Sequence, residues 1–162
     1  MALRLYNTRT STIEAFLAAA PPAVSMYICG ATVYAPAHIG HGRSYVVFDT
    51  LRRLLVFHGY TVDFVQNFTE VAEEISLRAV EHHLDALRFA DQYIADFWAD
   101  MDRLSILRAR AYPRVSEYVE GIVASIQTLL DSDGAYLLGD SVYFDSQKAG
   151  GFGDLSHQRL ED

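Results

Sequence analysis

Between residues 24 and 29 the chain reads VSMYIC, a nearly unbroken apolar run that stops at Gly30. Such a run predicts a short strand buried on both faces. From about Gly42 to His58 the period changes. Tyr45, Phe48, Leu51 and Leu55, with Val47 and Leu54, recur three and four apart, which predicts a helix, and Gly59 supplies a residue able to end it in the left-handed region. Residues 61–68, TVDFVQNF, are rich in β-branched and aromatic types and predict the next strand. Strand, helix and strand in this order form a βαβ unit, whose strands run parallel with a right-handed crossover.

The rest of the pattern is shorter in period. LRLYNT at 3–8 predicts a further short strand, and residues 70–104 and about 113–131 read as helical, the second stretch opening after Pro113 and ending near Asp133-Gly134. YLLGDSVYFD, 136–145, sets two apolar runs around Gly-Asp-Ser and predicts a β-hairpin. SQKAGGFGD, 146–154, is linker-like, and there is no internal repeat or low-complexity tract. The fold class is therefore α/β.

Composition narrows the function classes. A chain of 162 residues that is 51% hydrophobic and 21% charged suits one globular domain with a real core. No apolar run approaches the roughly 18 residues that span a bilayer, and MALRLYNTRT lacks the apolar centre of a secretory signal, so the expectation is a cytoplasmic protein without a membrane partner. One cysteine excludes an intramolecular disulfide. The net charge of −8 gives no general attraction for a polyanion. Acid is concentrated after residue 60, whereas Arg4, Arg9, Arg43, Arg52 and Arg53 face only Glu14 and Asp49 before it. An anionic ligand should prefer the first third of the chain.

Within that third, Cys29–Arg43 reads CGATVYAPAHIGHGR and gathers the lone thiol, two histidines and Gly30, Gly40 and Gly42. In an open parallel sheet, ligands bind beyond the carboxyl ends of the strands, where loops enter helices. A helix N-terminus there offers unpaired N–H groups and a partial positive charge suited to phosphate. His38 and His41 lie one turn apart and can face one side, from which two imidazoles can donate to phosphoryl oxygens whose charge changes during transfer. The plainer alternative is that they cap the helix or face solvent. Two other groups have plain readings. Glu70, Glu73 and Glu74 suit an acidic first turn of a helix. Tyr93, Phe97, Trp98 and Met101 form a packing stripe, and His82 and His83 are surface residues.

His38-Ile39-Gly40-His41 matches the HIGH signature of class I aminoacyl-tRNA synthetases, and MYICGATVYAPAHIGHGR resembles the cysteinyl-tRNA synthetase branch. The related ligase that joins cysteine to a sugar amine in mycothiol biosynthesis shares the pattern more loosely. The resemblance continues through RLYNT, VVFDTLRRLLVFHGY, VQNFTE, ILRARAYPR, DGAYLLGDSVYFD and LSHQRLED, so it covers nearly the whole chain.

This resemblance implies the first half of a Rossmann-like (HUP-type) parallel sheet with the HIGH motif over residues 1–105, followed over 106–162 by a helix, hairpin and tail similar to the start of the family's connective insertion. It implies activation of cysteine by ATP as an aminoacyl-adenylate. His38, Gly40 and His41 would bind ATP, with the two histidines stabilising the transition state. Gly30, Thr32, Asn67 and Thr69 would line the substrate pocket, and Cys29 would be a zinc ligand holding the substrate sulfur. The family's other zinc ligands and its lysine-rich KMSKS loop fall beyond the matched part. Ala35 stands where an acid is usual, and Glu70, Glu73 and Glu74 replace an Asp-rich segment that carries a lysine. Full turnover is therefore expected to need a second half or a partner chain, which would also supply any tRNA-binding surface. The alternative is a non-catalytic nucleotide-binding or interaction module.

Overall fold

The computed structural model describes residues 3–158, so the last four residues of LSHQRLED lie outside it. In chain order the elements are β1 (Arg4–Asn7), β2 (Thr12–Ala15), β3 (Ala23–Ile28), α1 (Ile39–Phe57), β4 (Thr61–Gln66), α2 (Glu73–Glu81), α3 (Ala86–Arg103), a 3-10 turn (Val115–Tyr118), α4 (Val119–Asp131), β5 (Ala135–Leu138) and β6 (Ser141–Phe144). They fall into two compact units, Ala18–Tyr118 and Met1–Leu17 with Val119–Asp162. No helix among the described residues is long and apolar enough to cross a membrane.

In Ala18–Tyr118, β3 and β4 pair in parallel from Ala23 opposite Thr61 to Ile28 opposite Gln66, with α1 as the connection between them. The expected βαβ unit is present. One feature of it differs from expectation: β3 is covered on one face only. Val24, Met26 and Ile28 turn inward while Ala23, Ser25 and Tyr27 are exposed, Tyr27 by 64%. Strand side chains alternate between faces, so an apolar run does not by itself place both faces in a core. Gly59 ends α1 as expected, at φ +86°.

The outer edge of β4 is occupied by the segment that follows α3. Arg110 N–H donates to the Phe64 carbonyl at 2.8 Å, Gln66 N–H to Ala111 at 3.2 Å and Phe68 N–H to Pro113 at 3.0 Å. Residues 106–118 thus belong to the compact unit of the parallel pair. The edge hydrogen bonds hold them there, and the periodicity of a strand says nothing about which extended segment joins it.

The helical stretch 70–104 is two helices. Asp85 starts α3 by accepting from the N–H groups of Leu87 (3.0 Å) and Arg88 (3.3 Å), and His83 adopts φ +56° in the break. The inward faces of α1, α2 and α3 meet the strands in one core that includes Tyr45, Phe64, Phe68, Ile75, Phe89, Phe97 and Met101. Phe97 and Met101 are buried and Tyr93 and Trp98 pack partly against them, so the aromatic stripe is a packing stripe. His82 and His83 are exposed.

Glu70 departs from its expected place in a helix first turn. It precedes α2, which opens with Glu73 and Glu74, and it is 1% exposed. Its carboxylate accepts from the N–H groups of Val115 (3.1 Å) and Ser116 (2.7 Å), with Arg114 Nε at 3.8 Å. Buried charge is tolerated only when paired in this way.

The second unit contains two antiparallel hairpins. β5 and β6 form the expected one, with Leu138 opposite Ser141 and Gly139 at φ +61° in the turn. β1 is the expected N-terminal strand, and it pairs with β2, which the pattern does not announce. All four residues of β2, TIEA, are exposed, so burial imposes no period on them.

Candidate functional site

The loop from Cys29 to His38 joins the carboxyl end of β3 to α1, and its far end is a reciprocal helix cap. His38 is the N-cap residue: its Nδ1 accepts the Gly40 N–H at 3.1 Å, while its own backbone N–H donates to Nδ1 of His41 at 3.2 Å. The histidine pair plays the part that Ser and Glu play in a capping box. Gly40 permits it, since an added Cβ would come within 2.9 Å of the His38 ring. The expectation that α1 begins near Gly42 is corrected by this cap, which moves its start to Ile39.

This cap settles the proton positions of the neutral rings. A backbone N–H can only donate, so each Nδ1 is an acceptor and each neutral imidazole carries its proton on Nε2. Among the described residues neither Nε2 has a hydrogen-bond partner. The rings lie 4.0 Å apart at 31°. Burial, then the nearby His38, lowers the pKa of His41, which favours its neutral form near pH 7. The first turn of α1 holds no acidic side chain, so the positive end of the helix is not neutralised from within.

The two readings of these histidines are therefore compatible. Capping uses one nitrogen of each ring and leaves the other as a donor.

The remaining predicted residues gather at the ends of the two strands. Gly30 N–H donates to Asn67 Oδ1 at 2.7 Å, and Asn67 Nδ2 donates to Thr69 Oγ1 at 3.2 Å. Thr32 and Thr69 form an isolated parallel bridge, with Thr69 N–H on the Ala31 carbonyl at 3.1 Å and Val33 N–H on the Thr69 carbonyl at 3.2 Å. These bonds extend the β3–β4 pairing into the loops. Gly30 is obligatory here: an added Cβ would lie 1.5 Å from the Asn67 carbonyl oxygen.

Cys29 joins the two groups. It is exposed, not the buried small apolar residue that a lone cysteine usually is, and it lines a cleft of about 340 Å³ with His41, Tyr27, Ser44, Tyr45 and Phe48. His38 lines a neighbouring cleft of about 280 Å³ with Ala37, Asp100 and Leu104. A larger concavity of about 710 Å³ in the other unit, lined by β1, β2 and Leu155, holds none of the predicted residues.

Zinc fits this arrangement poorly. A closed zinc site takes about four ligands, and the described residues contain no group of three or more His, Cys, Asp or Glu side chains able to hold one ion. Cys29 is at most one ligand of such a site.

Tyr45, which lines the cleft, and Gln66 beside it are not singled out by the sequence pattern as site residues. Tyr45 is 7% exposed, and burial, partly opposed by the neighbouring Gln66 carboxamide, pushes its hydroxyl up to about 12, so it stays protonated. Gln66 ends β4 at 4% exposure, and its Nε2 has no hydrogen-bond partner. Their signals are legible afterwards: Tyr45 lies four residues beyond His41, and Gln66 is the polar residue in the inward series Val62, Phe64, Gln66.

Comparison with known proteins agrees with this geometry. Residues 16–162 match the family model of the tRNA synthetases class I (C) catalytic domain. A cysteine–tRNA ligase of Aquifex aeolicus is 42% identical over 162 residues, covering 100% of this chain and 33% of that one. That of Thermosynechococcus vestitus is 45% identical over 161 residues, covering 99% and 33%. The chain thus spans about a third of the length of these curated relatives, the N-terminal third. Among solved structures, a Mycobacterium tuberculosis methionyl-tRNA synthetase in complex with methionyl-adenylate superposes with a TM-score of 0.64 at 17% identity over 70% of this chain and 23% of that one. That likeness supports a partial Rossmann-like α/β fold. On the family match and these identities, the chain belongs to the cysteinyl branch of the class I tRNA synthetases and carries the HIGH-bearing part of its catalytic fold.

Proposed function

We propose that this chain supplies the phosphate-binding half of an ATP-dependent cysteine-activating site. In that reaction a carboxylate oxygen of cysteine attacks the α-phosphorus of ATP, the bond to the β-phosphate oxygen breaks, and pyrophosphate leaves as the aminoacyl-adenylate forms. The observation that carries the reading is the reciprocal cap, which leaves Nε2–H of His38 and of His41 as two neutral donors at the unneutralised N-terminus of α1. Donors fixed before the substrate arrives stabilise developing phosphoryl charge without reorganisation. Gly40 lets an anion approach the backbone there.

Gly30, Thr32, Asn67 and Thr69 form the wall of the amino-acid pocket in this reading, and Cys29 lies at its thiol end. Zinc takes no part in the steps assigned to this chain. β4 has partners on both edges, whereas among the described residues β3 pairs with β4 and, apart from the isolated Ala20–Ala23 bridge at its start, with no other segment. That edge is the natural place for a second half to add a strand. tRNA enters the function through that second half, since a chain of net charge −8 offers no general polyanion surface.

Cysteine-dependent exchange of pyrophosphate into ATP tests the reading on the purified chain, with and without zinc. Exchange that needs cysteine, and falls in His41→Asn, is the expected result. Binding of ATP with no exchange at any cysteine concentration would instead favour a nucleotide-binding module, and exchange unaffected by His41→Asn would remove the role given to that residue.

A further inference from the structure

The imidazole of His41 does not stand alone on the surface; it is the outer end of a train of aromatic rings that runs into the core. His38 lies 4.0 Å from His41, and His41 stacks over Tyr45 at 6.4 Å with their planes 11° apart. Tyr45 then meets Phe97 edge to face at 5.3 Å, and Phe97 meets Phe68 in the same way at 5.3 Å. Such offset and edge-to-face contacts are favourable at centroid separations of about 4.5–7 Å. Phe68 and Phe97 are 1% and 3% exposed, so the inner rings are held by the core itself. Tyr45 is the single ring between that immobile cluster and the half-exposed histidine.

We propose that Tyr45 is a positioning residue for His41, its ring fixing the imidazole plane so that Nδ1 faces the His38 N–H and Nε2–H is presented to the phosphate. His41 and Tyr45 are four residues apart on α1, the spacing at which side chains meet on one helix face. Without the Tyr45 ring, His41 keeps its backbone but loses the surface against which it lies flat. The bond from His38 N–H to Nδ1, already 3.2 Å long, is then the first contact to go. The hydroxyl has a lesser role: it faces Gln66, while the ring face does the orienting. Phenylalanine should therefore substitute where methionine, which fills a similar volume without a rigid plane, should not.

This inference rests on the proposed phosphate role only for its consequence, so its first test uses no nucleotide. Hydrogen exchange of the His38 amide, followed by NMR on the 162-residue chain, reports the bond to His41 directly. Tyr45→Met should speed that exchange about tenfold, one weak hydrogen bond's worth, while amides in the interior of α1 keep their protection and Tyr45→Phe stays at the parent rate. A folded Tyr45→Met variant with unchanged His38 exchange would overturn the proposal, as would acceleration spread evenly along α1, the mark of a merely structural role. Should the methionine variant fail to fold, cross-relaxation between the His41 and Tyr45 rings of the parent chain decides the matter, and its absence would overturn the proposal equally. ATP titration then adds the consequence: affinity falls in Tyr45→Met and holds in Tyr45→Phe. A parent chain that binds no ATP would sink the proposed function and leave the amide result standing.

Discussion

Ala18–Tyr118 buries Phe68, Phe89 and Phe97 to 3% exposure or less, whereas in the unit formed by 3–17 and 119–158 Ala135 is the one described residue that is buried. Both have well-formed elements. In the second, α4 leaves Ile122, Val123, Ile126 and Leu129 exposed, and the hairpin does the same with Tyr136, Leu137 and Leu138. Ladder bonds and turn geometry hold those strands, and a two-stranded hairpin held in that way is marginal in water. Secondary structure and a core are thus separable here, and the site residues all lie in the unit that has the core.

Substitutions that should cost one unit heavily and the other little sharpen this contrast. Phe97→Ala removes a ring at 3% exposure that touches both Phe68 and Tyr45, and should cost about 3–5 kcal/mol in urea unfolding. Leu137→Ala, at 65% exposure, should change stability by no more than about 0.5 kcal/mol. Comparable losses from the two would break the comparison. Gly30→Ala comes next. Its Cβ would overlap the Asn67 carbonyl, so the joined loop ends must separate at a cost of about 3 kcal/mol. The expected readout is a lower urea midpoint together with loss of cysteine-dependent pyrophosphate exchange, because the same bonds shape the proposed amino-acid pocket.

Glu70→Gln has a smaller expected cost, about 1–3 kcal/mol, since a neutral amide replaces one acceptor oxygen with a donor facing the N–H groups of Val115 and Ser116. Its pH dependence carries a sign. Burial opposes ionisation of Glu70 most strongly, but the hydrogen bonds from Ser116 and Val115 outweigh it and hold the pKa below the ordinary 4.5. A depressed folded pKa contributes stability that is fully present above about 4.5 and is lost as the pH falls through the folded value. Glu70→Gln should flatten the acid limb of the stability curve below pH 4.5. An unchanged limb would show that the carboxylate is not ionised against those N–H groups.

How far the sequence anticipates the structure follows from which signals are local. The βαβ unit, the β5–β6 hairpin and the left-handed Gly59 were legible because period and turn chemistry are written in consecutive residues. Asp85 was legible in principle as a cap but is hidden inside a continuous helical pattern. The strand-like segment at 110–114 and the true place of Glu70 were not legible, since both depend on contacts some 45 residues apart in the chain. For the site, motif resemblance placed His38, His41, Gly30, Thr32, Asn67 and Thr69 in the same region, and the structure adds the bonds among them. Tyr45 gives no such signal, because a residue at core spacing does not reveal that its ring also stacks on His41.

The smallest expected change in stability makes the sharpest functional test. His38→Ala removes the cap and should cost about 1 kcal/mol. His38→Ser restores an oxygen that accepts from the first turn, so its stability should return to within a few tenths of a kcal/mol of the parent. Serine, however, is too short to carry a donor to where Nε2–H lies on the far side of the imidazole. If His38 binds phosphate as well as capping α1, His38→Ser should keep the parent's urea midpoint and weaken ATP binding about tenfold, as loss of one charge-assisted hydrogen bond predicts. Recovery of both properties together would mean that capping accounts for this histidine, and that the phosphate is held by His41 and the backbone of the first turn alone.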